Sequence, residues 1–196
     1  MTFTKFLPVP IMIGVVAALW MVVSGQLSTA SYPLVPWVPF IGWALYFMAG
    51  AKLSRLHKEA IGLTGGIVAA AIVLIFANQF GAVLGQWTLP VIVFFVAFFI
   101  VLLELTDWFE LAPAYFFSFA GYFAYLLGKF AGTTMTAQHL VWFWALIMIG
   151  LALGVLTAKL RKWILTAEGV PESEQQTIFD REQRIKTTEA SQAPQK

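Results

Sequence analysis

The chain has no cysteine among its 196 residues, and charged residues make up only 11% of it. The absence of cysteine excludes disulfide bonds, Cys-ligated zinc, iron–sulfur clusters and thiol catalysis. A net charge of +2 without a basic run argues against a nucleic-acid partner, because phosphate neutralisation requires clustered Lys and Arg. Apolar residues instead make up 60% of the chain, against about 45–50% in soluble domains. The composition therefore predicts an integral membrane protein.

The apolar residues fall into six stretches, each near the roughly 20 residues that a membrane-spanning helix needs. The stretches are Leu7–Gly25, Leu34–Ala51, Ile61–Val83, Thr88–Leu105, Pro113–Phe130 and His139–Leu160. The loops between them are short. We therefore predict an all-α fold in which residues 1–165 form one bundle of six transmembrane helices. Residues 166–196 are rich in Glu, Gln, Thr and Ser and are predicted to form a mobile cytoplasmic tail.

The positions of Lys and Arg predict the orientation, because cytoplasmic loops retain positive charge. With six crossings and the N-terminus inside, Lys129 alone lies outside, and all other cations of residues 1–165 lie inside. The inside cations are Lys5, Lys52, Arg55, Lys58, Lys159, Arg161 and Lys162. We predict that both termini are cytoplasmic. A re-entrant second stretch, or removal of the first stretch as a signal peptide, would leave Lys52, Arg55 and Lys58 outside and is disfavoured.

Four pairs of glycines have the G-x-x-x-G spacing, which leaves bare backbone on one face of a helix and lets another helix approach closely. The pairs are Gly62/Gly66, Gly81/Gly85, Gly128/Gly132 and Gly150/Gly154. They could form the contact of a homo-oligomer. We favour packing inside the chain's own bundle.

The second and fifth stretches share the pattern F-x-G-[WY]-x-x-Y, at Phe40–Tyr46 and again at Phe119–Tyr125. Because each half of the chain would contain three crossings, the two halves would run in opposite directions. Inverted repeats of this kind are a known plan for transporters, with the binding site near the midplane between them. We therefore predict two inverted three-helix repeats whose second and fifth helices meet near the bundle centre.

Three of the four carboxylates before residue 166 are Glu104, Asp107 and Glu110, which would share a helical face if the fourth helix continued to Pro113. They could form an acidic vestibule that attracts a cation. We favour the simpler interpretation, in which these acids lie in an interfacial loop and face water or the basic residues Lys159, Arg161 and Lys162.

Residues that could carry enzymatic chemistry are absent. The chain has neither a His-Glu-x-x-His motif nor a phosphate-binding glycine loop, and its two histidines, His57 and His139, fall at opposite membrane faces. We predict that the protein is not an enzyme and holds no metal or cofactor.

The motif W37-x-x-F40-x-G42-x-x-x-Y46-F47 and the later Gly150-x-x-x-Gly154 with Lys159 resemble the YcdZ-type bacterial inner-membrane proteins, the domain of unknown function 1097 family. The likeness covers residues 7 to about 165. It implies a multi-pass protein of the bacterial cytoplasmic membrane, without a catalytic residue, cofactor or substrate to carry over. The acidic residues 104–110 and the polar tail depart from the family pattern.

Together these observations predict a channel or secondary transporter for a small neutral or cationic solute within the lipid bilayer. Tyrosine hydroxyls and amides can bind a polar solute, and glycines leave room beside them. The residues predicted to line the path are Gly42, Tyr46, Asn78, Ser118, Gly121 and Tyr125. The alternative is a structural or assembly protein that binds a membrane partner through small-residue helix faces.

Overall fold

The computed structural model describes residues 2–130 and 134–176, and within these ranges every regular element is helical. Six main helices follow a short turn at Phe3–Phe6: α1 (Pro8–Leu27), α2 (Trp37–Met48), α3 (Leu56–Leu84), α4 (Thr88–Leu102), α5 (Ala112–Leu127) and α6 (Ala137–Ala167). The predicted all-α fold is confirmed for the described residues.

In the described part of the chain, three apolar helical stretches have the length and composition of a membrane span: Phe3–Leu27, Leu53–Leu105 and Ala137–Ala167. The middle stretch has 53 residues and bends at Gly85, where φ is +53°, so that α3 packs against α4 as a hairpin. α2 and α5 are apolar but shorter, with 12 and 16 residues. At 1.5 Å per residue they are about 18 and 24 Å long, below the ~30 Å hydrocarbon core.

The helix ends differ from the predicted ends where polar residues extend a helix beyond its apolar run. α3 begins at Leu56 rather than Ile61, and α6 continues to Ala167 rather than ending at Leu160. At the start of α6, the Thr136 hydroxyl accepts the backbone N–H of His139, which caps the helix. A search for apolar residues alone misses these polar turns.

Two compact units make up the described chain. One consists of the residues up to Leu19 and those from Val155 onward. In this unit Val9, Leu165 and Val170 form a buried cluster, and Gln175 donates to the backbone carbonyl of Val170 at 2.7 Å. The first residues after the last helix are therefore packed. The rest of the predicted mobile tail, residues 177–196, lies outside the described residues.

In the second unit, Trp20–Gly154, several glycines lie directly against neighbouring helices. On α3, Gly62 faces Ala114, and Gly66 faces Ser118 of α5. The contacts advance together along both helices, so α3 and α5 run in parallel. This pair of glycines packs within the chain, as we favoured for the G-x-x-x-G spacing.

The second pair used within this unit is Gly150/Gly154 of α6. Gly150 faces the backbone of Pro39, and Gly154 faces the ring of Tyr46, both on α2. α2 and α6 therefore also run in parallel. Gly81 and Gly85, by contrast, have no atom within 4 Å of where a Cβ would stand. Gly132 of the remaining pair lies outside the described residues.

Candidate functional site

Four polar side chains follow one face of α5, which lies inside the bundle. Tyr115, Ser118, Tyr122 and Tyr125 are three or four residues apart, a spacing that aligns side chains on one helical face, and all four are buried. Proline at position 113 starts the helix in its first turn, where the missing N–H has no helical partner. These four residues, which we call the polar stripe of α5, lie in an otherwise apolar core.

The two glycines of the shared pattern lie where α2, α5 and α6 meet. A Cβ on Gly121 would contact Ile41 of α2 and Phe143 of α6. A Cβ on Gly42 would contact the backbone of Ile147 and its neighbours on α6. Gly42 and Gly121, two of the predicted path residues, therefore lie close together. Because glycine has no side chain, the three helices can pack closely there.

Tyr46 and Tyr125, in contrast, lie at different levels of the bundle. The ring centroids of Tyr125 and Phe143 are 5.3 Å apart, whereas Tyr46 packs on Gly154, which is 11 residues further along α6. Eleven residues correspond to roughly 16 Å of helix. The two tyrosines therefore mark opposite ends of the packed region rather than one shared pocket.

The other two predicted path residues also differ in placement. Ser118 is fully buried and donates to the backbone carbonyl of Ala114 at 3.1 Å. Asn78 is exposed on α3, beyond Val73, where the buried face of that helix ends. Ser118 therefore lies in the core, where it faces Gly66 of α3, whereas Asn78 lies outside the core.

The buried polar atoms of this core are under-satisfied. Among the described residues, the hydroxyls of Tyr115, Tyr122 and Tyr125 are buried without a hydrogen-bond partner. An unpaired buried polar group costs about 1–3 kcal/mol, and water or a ligand commonly satisfies it. A row of such hydroxyls indicates a place that a polar molecule could occupy.

Glu59, on the first turn of α3, was not among the residues predicted from the sequence, and neither were Tyr115 and Tyr122 of α5. The Glu59 side chain is 0% exposed, and neither carboxylate oxygen has a hydrogen-bond partner among the described residues. It is also the only buried member of the Asp, Glu, Lys, Arg and His residues in that part of the chain. Its spacing from Gly62 and Gly66, three and seven residues, was the available signal that Glu59 shares their inward face.

The three acids of the predicted vestibule are exposed and do not share a helical face. α4 ends at Leu102, and Thr106 is extended, so the helix does not continue to Pro113 as that prediction required. Glu110 instead accepts a hydrogen bond from the Lys58 ammonium at 2.7 Å. This contact holds the pKa of the Glu110 carboxyl below its usual value.

A large cavity of about 1180 Å³ opens between α3 and α4 and is lined almost entirely by apolar side chains, including Ile72, Phe95 and Tyr115. None of the six predicted path residues lines it. Within the described ranges, no group of three His, Cys, Asp or Glu residues could hold a metal ion. Because the cavity wall offers few polar groups, the polar stripe of α5 and Glu59 are a better candidate site for a polar solute than this cavity.

Long apolar helices around a core that holds the few buried polar groups indicate a membrane protein of the helical-bundle class. The chain belongs to the family described as protein of unknown function (DUF1097), which it matches over residues 10–163. The resemblance seen in the sequence motifs is thereby confirmed. No curated protein and no solved structure matches the chain.

Proposed function

We propose that this protein is a six-crossing carrier or channel of the bacterial cytoplasmic membrane, which moves a small neutral or cationic solute along the polar stripe of α5. The observation that carries the proposal is the set of buried, unpartnered polar groups: the Glu59 carboxylate and the hydroxyls of Tyr115, Tyr122 and Tyr125. Polar groups inside a membrane bundle are costly and commonly mark a solute pathway. Glu59 is buried and no Lys, Arg or His is buried among the described residues, which favours a neutral or positive solute.

Inverted repeats are part of the proposal, and matched positions in α2 and α5 support them. At an offset of 79 residues, both members of each of these pairs are buried: Val35/Ala114, Pro39/Ser118, Gly42/Gly121, Trp43/Tyr122 and Tyr46/Tyr125. Both helices also end in the same hydrogen-bonded turn. The N–H of Ala51 donates to the carbonyl of Tyr46, and that of Phe130 donates to Tyr125.

The helix contacts support the same symmetry. α2, the middle helix of the first half, packs in parallel on α6, the last helix of the second half. α5, the middle helix of the second half, packs in parallel on α3, the last helix of the first half. A two-fold axis in the membrane plane would convert one contact into the other. Short helices at corresponding places in two halves are also typical of transporter binding sites.

Contacts between helix ends and neighbouring loops support six crossings with alternating direction. Lys58 pairs with Glu110, and the rings of His57 and Trp108 are 5.3 Å apart, which joins two regions that we place on the cytoplasmic side. The indole of Trp142 donates to the carbonyl of Pro33 at 2.9 Å, which joins two regions that we place outside.

Single-cysteine labelling tests this orientation without background, because the chain has no native cysteine. Both Arg55 and Ser31 are exposed. We expect Ser31→Cys to react with a membrane-impermeant maleimide in intact cells, and Arg55→Cys to react only after the membrane is permeabilised. Reaction of Arg55→Cys in intact cells would contradict the proposed topology.

A second labelling experiment tests the path itself. Ser118→Cys changes one atom at a fully buried position of the stripe, whereas Val101→Cys lies on the exposed apolar surface of α4. If the bundle opens to admit a polar solute, a charged thiosulfonate reagent should modify Ser118→Cys at a measurable rate and leave Val101→Cys unmodified in vesicles. A Ser118→Cys protein that never reacts would refute transport along this path.

The alternative function, assembly with a membrane partner, is favoured by Gly81 and Gly85, whose small-residue face has no neighbour within the described chain. A homo-oligomer would use the same face. An unreactive Ser118→Cys protein, together with an oligomer that Gly81→Ile dissociates, would establish this alternative in place of transport.

A further inference from the structure

Glu59 is buried inside the bundle, unlike an ordinary surface charge. It lies on the face of α3 that also carries Gly62, Leu63 and Gly66, and that face packs against α5. The carboxylate is fully buried, and both its oxygens lack a hydrogen-bond partner among the described residues. A carboxylate in this position is neutral or holds a cation, because an isolated buried charge is too costly.

Neither Arg55 nor Lys58 hydrogen-bonds to the Glu59 carboxylate. The Arg55 guanidinium, close enough to act on Glu59 electrostatically, donates at 3.3 Å to the Ala49 carbonyl at the end of α2. The Lys58 ammonium pairs with Glu110. The titratable and charged groups around this end of α3 include Tyr46 on α2, Tyr115 on α5 and Glu110 before α5. Those beside Glu59 in the chain are Lys52, Arg55, His57 and Lys58.

The kind of cation follows from the number of available ligands. Calcium and magnesium take about six or more oxygen ligands, and the part of the chain that the structure describes contains no cluster of acidic residues at Glu59. A proton needs a single oxygen and leaves a neutral carboxyl group that an apolar core tolerates. The position of Glu59 at the start of a helix favours its charged form once water reaches it.

We propose that Glu59 is the proton-binding residue of the carrier. In the closed bundle the carboxyl group holds a proton. When the helices separate and water enters, the proton leaves for water and Glu59 becomes a carboxylate, so that opening is linked to the release of one proton. This inference rests on the proposed transport function and names its coupling ion.

Infrared spectroscopy in phosphatidylcholine vesicles measures the protonation state directly. Wild-type protein at pH 7 should show the C=O band of a protonated carboxylic acid, which Glu59→Gln removes and the matched variant Glu110→Gln retains. The band should persist when NaCl or KCl is added at constant pH. Its absence at pH 7 would overturn the proposal, and its loss on adding salt would assign the site to an alkali cation instead.

The labelling rate of Ser118→Cys measures the link between the proton and opening. Divided by the rate of the exposed Ser31→Cys protein, it should rise about tenfold per pH unit over the range in which Glu59 is protonated in the closed bundle and ionised in the open one, since one proton is released on opening there. With Glu59→Gln added, the normalised rate should be low and independent of pH. Circular dichroism checks that this variant folds.

The outcomes separate this inference from the function on which it rests. A Ser118→Cys protein that reacts with the same normalised rate at every pH refutes proton coupling and leaves transport standing. A protein that never reacts at any pH refutes transport, and with it the coupling role of Glu59.

Discussion

Phe143→Ala is expected to lower the free energy of unfolding by about 2–3 kcal/mol. Phe143 is fully buried on α6, and its ring centroid lies 5.3 Å from those of both Tyr122 and Tyr125. Phe→Ala in a water-soluble core costs about 3–5 kcal/mol. In a membrane the lipid is as apolar as the core, so the transfer part is lost and mainly the cavity part remains.

Phe98→Ala is the matched control, because its ring is 53% exposed on α4 and faces the apolar surroundings of the bundle. This variant should change the unfolding free energy by less than about 1 kcal/mol, since lipid fills the space. Equilibrium unfolding in mixed micelles with increasing dodecyl sulfate measures both variants. Equal effects of Phe143→Ala and Phe98→Ala would contradict the core described for Trp20–Gly154.

The sequence was sufficient to predict six helices because the apolar runs are long and the glycines and prolines interrupt them. Thr88, for example, was the predicted and is the observed first residue of α4. Helix ends were less predictable. The first turn of α3 contains His57, Lys58 and Glu59, and the sequence alone does not show that a turn with three polar residues continues a buried helix.

The candidate site was predicted in part. Gly42 and Gly121 were found through their shared pattern, and the structure places both at the junction of α2, α5 and α6. Glu59 was missed because a carboxylate beside Lys58 resembles a loop residue in the sequence. The packing of Gly62 on Ala114, one turn away, and the burial of Glu59 itself show that this face of α3 is turned inward.

The positions of Tyr46 and Tyr125 show what sequence similarity between halves leaves open. A shared pattern indicates equivalent residues, but an inverted repeat brings equivalents together only near its axis. A Cβ on Gly121 would contact Ile41, next to Gly42, as expected if the proposed axis passes close to these glycines. Tyr46 and Tyr125 lie four residues beyond Gly42 and Gly121. In the inverted repeat that we propose, the two helices run in opposite directions, so this pair separates.

Gly150→Ala is expected to destabilise the bundle by roughly 1–3 kcal/mol, because the added Cβ would overlap α2. A Cβ at this position would approach the Pro39 carbonyl carbon to 2.7 Å and its oxygen still more closely. These are backbone atoms, which cannot rotate away as a side chain could. α2 would have to move off α6, and the contact of Gly154 with Tyr46, one turn on, would weaken with it.

Gly81→Ala is the control for this last change, since a Cβ there has no atom within 4 Å and Gly81 also lies inside a helix. Alanine favours a helix over glycine by about 0.5–1 kcal/mol, so this variant should be neutral or slightly more stable. The same unfolding titration in mixed micelles compares the two. If Gly150→Ala were as stable as Gly81→Ala, then α2 and α6 would not be packed through Gly150, and the matching contact of α5 on α3 would lose its value as support for inverted repeats.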